Sequence, residues 1–189
     1  MSTTASLQES TSGLRLPAGT WTIDPAHTRI GFVARHMMVT KVRGTFDDYS
    51  ADVDVAEDPL HSSLVAEVQM ASIDTGNADR DSHLRTNDFF AVEEYPTMSL
   101  RSTSFAVDGA DITMYADLTI KGVTKPVEFS LEFDGFGQDP WGATRAGISA
   151  SATINRTDFG VAFNAALETG GVLVGEKIQI ELDVQLVKS

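Results

Sequence analysis

The sequence predicts an antiparallel all-β fold of about eight or nine strands. Three observations predict it. Apolar and polar residues alternate with period two along most of the chain, the pattern of strands that bury one face. No amphipathic helical stretch separates these runs, which argues against crossover connections and a parallel sheet. The 189 residues also suit one all-β domain, a class that reaches about 200–250 residues without splitting.

The elements follow in order. Trp21 to Asp24 is a short first strand, closed by Asp24-Pro25, because the residue before proline is biased away from the helical region. From Arg29 to His36, Ile30, Phe32, Ala34 and His36 share one face, and Arg29, Gly31, Val33 and Arg35 the other. Val42, Gly44 and Phe46 repeat the alternation against Lys41, Arg43 and Thr45, and Val53 and Val55 repeat it against Asp52 and Asp54. Leu64 to Ile73 is apolar on both faces and predicts a central or externally covered strand. Ser72 to Pro96 then interrupts the strands. Asn77 is a candidate N-cap for a short helix over Ala78 to Arg85, with Asp79 and Asp81 in its first turns and Arg85 near its end, as the helix dipole prefers. Asp88 can cap a further turn carrying Phe89 and Phe90, and Tyr95-Pro96 ends the interruption.

Strands resume at Met98 to Phe105. Ile112, Met114, Ala116, Leu118 and Ile120 alternate with polar neighbours up to Gly122, and Val127, Phe129, Leu131 and Phe133 form the second arm of a hairpin. Gly135 to Gly142 reads as a loop, Ile148 to Ile154 as a strand and Ile178 to Leu186 as the last strand. Between these two, Asn155 to Lys177 is a long glycine-bearing loop over a barrel mouth.

Composition excludes several partners. The chain carries 27 acidic and 14 basic residues, a net charge of −13. That balance opposes nucleic acid, which is bound by Lys and Arg displacing counterions, and opposes anionic lipid headgroups held by a basic patch. There are no cysteines, hence no disulfide framework and no thiolate nucleophile. No run approaches the roughly 18 apolar residues of a spanning helix, so no integral membrane segment is expected. Residues 1–19 lack the basic and apolar blocks of a secretory signal. They read as a disordered leader on a cytoplasmic protein whose domain covers 20–189.

One apolar face per strand fits a sandwich or a closed barrel, and a barrel of about eight strands can hold one small ligand. The inward set mixes Ala34, Gly44, Ala66, Ala116, Ala150 and Ala152 with large side chains. Either the small residues pair with large ones across a filled, tapering core, or they leave an apolar cavity. The expected lining is Phe32, Phe46, Val68 and Met70 from the early strands, and Leu84, Phe89 and Phe90 from the interruption. Later strands add Met98, Leu100, Met114, Leu118, Phe129, Leu131, Phe133 and Ile148, and the long loop adds Phe159 and Phe163. Such a cavity selects an apolar ligand, since each buried CH₂ contributes about 0.8 kcal/mol.

Charge collects beside this lining. Arg80, Asp81 and His83, with His36 on the inward face of its strand, are candidates for a polar headgroup at the barrel mouth. The other reading makes them a structural tie, with Asp81 pairing with Arg80 or Arg85 or capping backbone so that the helix is fastened to the barrel. A histidine beside an aspartate is also general-base chemistry, but no serine sits in a nucleophile elbow. The spacing of His27, His36, His83 and Asp81 matches no metal-ligand motif, so no metal is expected. Arg156 and Asp158 read as residues that tie down a turn.

Taken together these segments resemble the YceI-like family of polyisoprenoid-binding proteins. The resemblance is carried by IDPAHTRIGFVARH (Ile23 to His36), VRGTF (Val42 to Phe46), SIDTGNADRDSHLRTNDFF with EYP (Ser72 to Pro96), ADLTIKGVTKPV (Ala116 to Val127) and INRTDFGV (Ile154 to Val161). It spans Trp21 to Val187 and implies an eight-stranded antiparallel lipocalin-like barrel with a short helix near one end. It also implies binding, storage or transport of a prenyl lipid or isoprenoid quinone, with no catalysis and no cofactor beyond that lipid. Ala116 stands where glycine is expected and Leu100 where phenylalanine is, which bears on the shape of the cavity. The alternatives are an enzyme acting on a hydrophobic small molecule through the His/Asp/Arg cluster, and a scaffold with a filled core. An exposed strand edge leaves monomer and homodimer both open.

Overall fold

The computed structural model describes residues 16–189. Its strands form one antiparallel sheet closed into an eight-stranded barrel with one short helix, the architecture expected from the sequence. In chain order they are β1 (Gly19–Ile23), β2 (Arg29–His36), β3 (Thr40–Phe46), β4 (Tyr49–Val55), β5 (Ser63–Gln69), β6 (Ile73–Asp74), β7 (Thr97–Asp108), β8 (Asp111–Ile120), β9 (Val123–Gln138), β10 (Thr144–Asn155) and β11 (Lys177–Lys188). The helix α1 (Ala78–Arg85) lies between β6 and β7.

The ring runs β1, β4, β5, β7, β8, β9, β10, β11 and back to β1. The remaining strands are second halves of broken lanes. β11 pairs its C-terminal half with β1, Leu186 opposite Ile23, and its N-terminal half with β2, Ile180 opposite Phe32. In the next lane β4 pairs with β1 and β3 with β2. β6 continues the lane of β5 and, among the described residues, pairs only with β3, Phe46 opposite Ile73.

Local chemistry explains each break. Pro25 lacks an N–H for the ladder, and Asp24 turns the chain by accepting the N–H of Ala26 (3.1 Å). At Met70–Ser72 a short 3-10 turn interrupts what the sequence predicts as one strand from Leu64 to Ile73. There the Ser72 hydroxyl donates to the Gln69 carbonyl (2.7 Å), offering the backbone an alternative to the ladder. It also accepts the Asp47 N–H (3.1 Å), which joins the third break to the second, at Asp47-Asp48. The loop expected at Gly135 to Gly142 is shorter, because β9 runs to Gln138. Gly135, with φ +124°, lies opposite Gly147 where the register shifts, and glycine permits that bulge.

The interior differs from end to end. At one end Trp21 is fully buried among Leu16, Val53, Val55, Ala146 and Leu186, and its indole N–H donates to the Pro17 carbonyl (3.1 Å). Of the expected leader, residues 1–15 lie outside the described part. The described wall starts at Gly19, with Leu16 already packed in the Trp21 cluster.

An ionic latch braces this end. Arg145 of β10 donates to Asp24 Oδ2 (2.5 Å) and to Asp139 Oδ2 (2.7 Å), while His27 Nδ1 lies 2.9 Å from Asp24 Oδ2. The His27 hydrogen bond, with Arg145 behind it, holds the Asp24 carboxyl below the usual range against the opposing effect of burial. Arg145 does the same for Asp139. Both groups therefore stabilise the fold fully above about pH 4, the unfolded value, and lose that contribution as pH falls through their lower folded values. The expected result is a melting temperature that drops on acidification below about pH 4, with Arg145→Gln flattening this limb. Parallel acid limbs in the two proteins would exclude the latch as the cause.

Candidate functional site

The other half of the barrel is hollow. Its cavity of about 190 Å³ far exceeds the about 10–15 Å³ that one water needs. Among the described residues that line it, only Ser99 and Arg156 carry polar side chains, and the surface turned to the cavity is almost wholly apolar. The inward faces of several strands build it: Ile30, Phe32 and Ala34 on β2, Phe46 on β3, Ala66 and Val68 on β5, and Met98 and Leu100 on β7. Leu118 and Ile120 on β8, Phe129 on β9, Ile154 on β10 and Ile178, Ile180 and Leu182 on β11 complete the ring. Leu84 of α1 closes over it with Phe89 and Phe90 from the following turn, and Phe159, Val161 and Val174 come from the loop between β10 and β11. Phe90, Met98, Leu100 and Leu182 keep accessible surface although they face inward, as residues around an empty space must.

Small residues create the space. Ala34 and Ala66 stand on the wall itself, and Gly44 lies directly opposite Phe32 across β2 and β3. A Cβ at Gly44 would collide with the Phe32 ring, so this glycine lets the ring lie back against the sheet. Leu100 lines the cavity, while Ala116 is buried in the wall opposite Ser102 and Val127 and does not reach it.

Six of the residues expected on the wall lie elsewhere, four of them for a common reason. Alternation along a strand reports which face points inward and is silent on position along the barrel axis. Phe133 and Ile148 face inward at the filled end and pack against the Trp21 cluster. Met114 and Leu131 sit in the packed wall cluster. Met70 is carried into the 3-10 turn and packs with Phe46, Val68 and Ile73. Phe163 lies against Phe89 and His83, with ring centroids 5.0 and 5.1 Å apart, off the cavity wall. Conversely Ile120, Ile154, Ile178, Ile180 and Leu182 are cavity residues whose signal was their period-two alternation. Val161, Val174 and Arg156 come from an irregular loop, where no periodicity marks them.

The charged cluster fastens α1. Asn77 caps the helix by accepting the Arg80 N–H (2.9 Å). Asp81 is buried and accepts both the N–H (2.9 Å) and the hydroxyl (2.6 Å) of Thr75. Arg80 reaches the same residue, its Nε donating to Thr75 Oγ1 (2.7 Å) and Nη2 to the Thr75 carbonyl (2.8 Å). Arg85 donates to the carbonyls of Ala71 and Ile73, both at 3.1 Å, so it holds the broken lane rather than Asp81. His83 pairs with Asp88 (Nε2 to Oδ2, 2.8 Å) and is half exposed between Phe89 and Phe163. His36 ends β2, where its backbone bridges to Val174. None of Arg80, Asp81, His83 and His36 is on the cavity wall. Among the described residues no three His, Asp or Glu side chains converge as a metal-ligand set.

Asp81→Ala is expected to lower stability by about 1–3 kcal/mol, because the Thr75 N–H is left without its acceptor. A denaturant midpoint equal to that of the wild type would show that α1 is held by its other contacts.

Comparison with known proteins gives the same architecture. A model of the YceI-like domain matches residues 21–186. A UPF0312 protein of Staphylococcus aureus (strain N315) is 37% identical over 169 residues, covering 87% of this chain and 95% of the relative. The crystal structure of Burkholderia cenocepacia BcnA superposes with a TM-score of 0.76 at 22% identity, over 86% of this chain and 98% of that one. A polyisoprenoid binding domain from Saccharophagus degradans superposes with a TM-score of 0.68 at 14% identity, over 89% of this chain and 98% of that one. No described helix is long and apolar enough to cross a membrane.

Proposed function

Because the chain belongs to the YceI-like family, we propose that it binds a long-chain polyisoprenoid, a prenyl lipid or an isoprenoid quinone, inside the barrel and stores or carries it. The observation that carries this reading is the hollow apolar half of the barrel, enclosed by the side chains of several strands, α1 and the β10–β11 loop. The polyisoprenoid binding recorded for the Saccharophagus domain of the same fold supports it. Each five-carbon unit brought out of water contributes about 4 kcal/mol at 0.8 kcal/mol per carbon, before the chain is ordered. Affinity then resides in the tail, and a few polar groups suffice to orient it.

The test is to purify the protein, extract it with organic solvent and analyse the extract by mass spectrometry, then offer polyprenol and quinone to stripped protein. A prenyl lipid in the extract or stoichiometric uptake is the expected result. An empty extract together with no uptake would sink the proposal. The His83–Asp88 pair does not line the cavity, so the reading assigns no reaction to the bound lipid.

A further inference from the structure

The turn that joins β2 to β3 suits neither its own backbone nor water. Met37 and Met38 both have positive φ, +51° and +58°, and the Val39 N–H closes the turn on the His36 carbonyl (3.1 Å). That is the pattern of a type I′ turn, which asparagine and glycine fill best. Here two methionines hold it, and Met37, Met38 and Val39 are 43, 59 and 75% exposed. Consecutive apolar side chains at a hairpin tip serve neither the turn nor the core.

Two further observations say what this tip meets. It stands at the mouth of the cavity: the Met37 N–H donates to the Leu173 carbonyl (2.8 Å), the Gly175 N–H to the Arg35 carbonyl (2.9 Å), and the His36 backbone bridges to Val174, a cavity residue. Val172, beside Leu173, adds an exposed apolar side chain to the same rim. Just behind the tip, Arg35 and Lys41 lie opposite each other on β2 and β3. Both are exposed, and no carboxylate lies within ion-pair distance of either among the described residues. An apolar tip backed by two cations matches the layers of a bilayer, acyl chains beneath and phosphates above. A second copy fits less well, because a twofold contact sets the same patch against itself, cation toward cation.

We propose that the β2–β3 tip docks the protein on a phospholipid bilayer, with Met37, Met38 and Val39 among the acyl chains and Arg35 and Lys41 at the phosphates. The cavity mouth then faces the layer in which prenyl lipids dissolve. Lipid exchange at this surface rests on the lipid-binding reading of the cavity; the docking itself does not. Exposed Glu168 and Glu176 on the β10–β11 loop and the net charge of −13 oppose a strongly anionic surface, so a zwitterionic one such as phosphatidylcholine is expected. So small an apolar tip makes a weak and reversible anchor, as a single acyl chain does, which lets a carrier leave with its load.

The test is cosedimentation with phosphatidylcholine vesicles, comparing the wild type with the double variant Met37→Asn, Met38→Gly. These replacements suit the left-handed turn, so the melting temperature is expected to hold or rise while the partition coefficient falls about tenfold or more. Arg35→Gln with Lys41→Gln should weaken partitioning by a smaller factor, and unchanged partitioning there overturns the phosphate contact. Transfer of polyprenol from vesicles should be slower in the turn variant, whereas the amount taken up from detergent solution should equal that of the wild type. Equal partitioning of wild type and turn variant, or a wild type that does not sediment with the vesicles, overturns the docking. A wild type that is a dimer without vesicles and a turn variant that is a monomer assigns the tip to a second copy and overturns it as well. If the wild type binds vesicles but takes up polyprenol from neither source, the docking stands and the lipid-binding reading fails.

Discussion

Replacing Trp21 by alanine is expected to cost about 3–5 kcal/mol, the range for deleting a large buried aromatic side chain. The indole has no exposed surface, touches the strands on both sides of the closure and donates its N–H to the Pro17 carbonyl. Trp21 also lies opposite Val53 on one neighbour and Lys188 on the other, so the void opens where β1 joins the first and last lanes of the ring. For a chain of this length each kcal/mol shifts the melting temperature by about 2–4 °C, which puts the drop at about 6–20 °C by calorimetry. A change below about 1 °C would mean that this end is held by the Asp24–Arg145–Asp139 latch instead. Affinity for a tail lodged in the other half should be nearly unchanged, because Trp21 does not line the cavity.

The second large effect is expected from Ala66→Phe, and its sign is opposite in the two assays. Ala66 faces the cavity, opposite Leu100 on β7 and Ala51 on β4. A phenyl ring there enters empty space instead of overpacking a filled core, so stability should hold or rise slightly. Ligand binding should collapse. Displacing one isoprene unit forfeits about 4 kcal/mol, roughly a thousandfold in Kd. A variant that melts normally yet takes up polyprenol as well as the wild type would show that the tail lies elsewhere.

The fold was legible because one-sided burial leaves period two in the sequence, as in Ile112 to Ile120 and Val127 to Phe133. The helix was legible from Asn77, Asp81 and Arg85, whose positions at its ends are set by the backbone dipole. The breaks at Asp47-Asp48 and Met70–Ser72 were not, since they depend on one serine hydroxyl meeting a backbone N–H from a neighbouring lane. The site was legible in part. Phe32, Val68, Leu100 and Phe129 face the cavity as the pattern implies, whereas Phe133 and Ile148 obey the same pattern and fill the opposite end. Arg156 was read as a turn tie. It is one, but its place on the cavity wall depends on the path of a loop that alternation does not describe.

The lane breaks have a mechanical consequence. Backbone ladders bind every lane of the ring at the Trp21 end, but among the described residues β6 bonds to β3 alone, and the stretch from Thr75 to Pro96 stands where a ladder from β6 to β7 would be. In the hollow half the barrel is therefore a split ring. Across that gap the wall is completed by α1 and its side chains, with Arg85 donating to the carbonyls of Ala71 and Ile73, while the opposite rim is closed by ladders throughout. The gap borders the apolar cavity, where Leu84, Phe89 and Phe90 close over it.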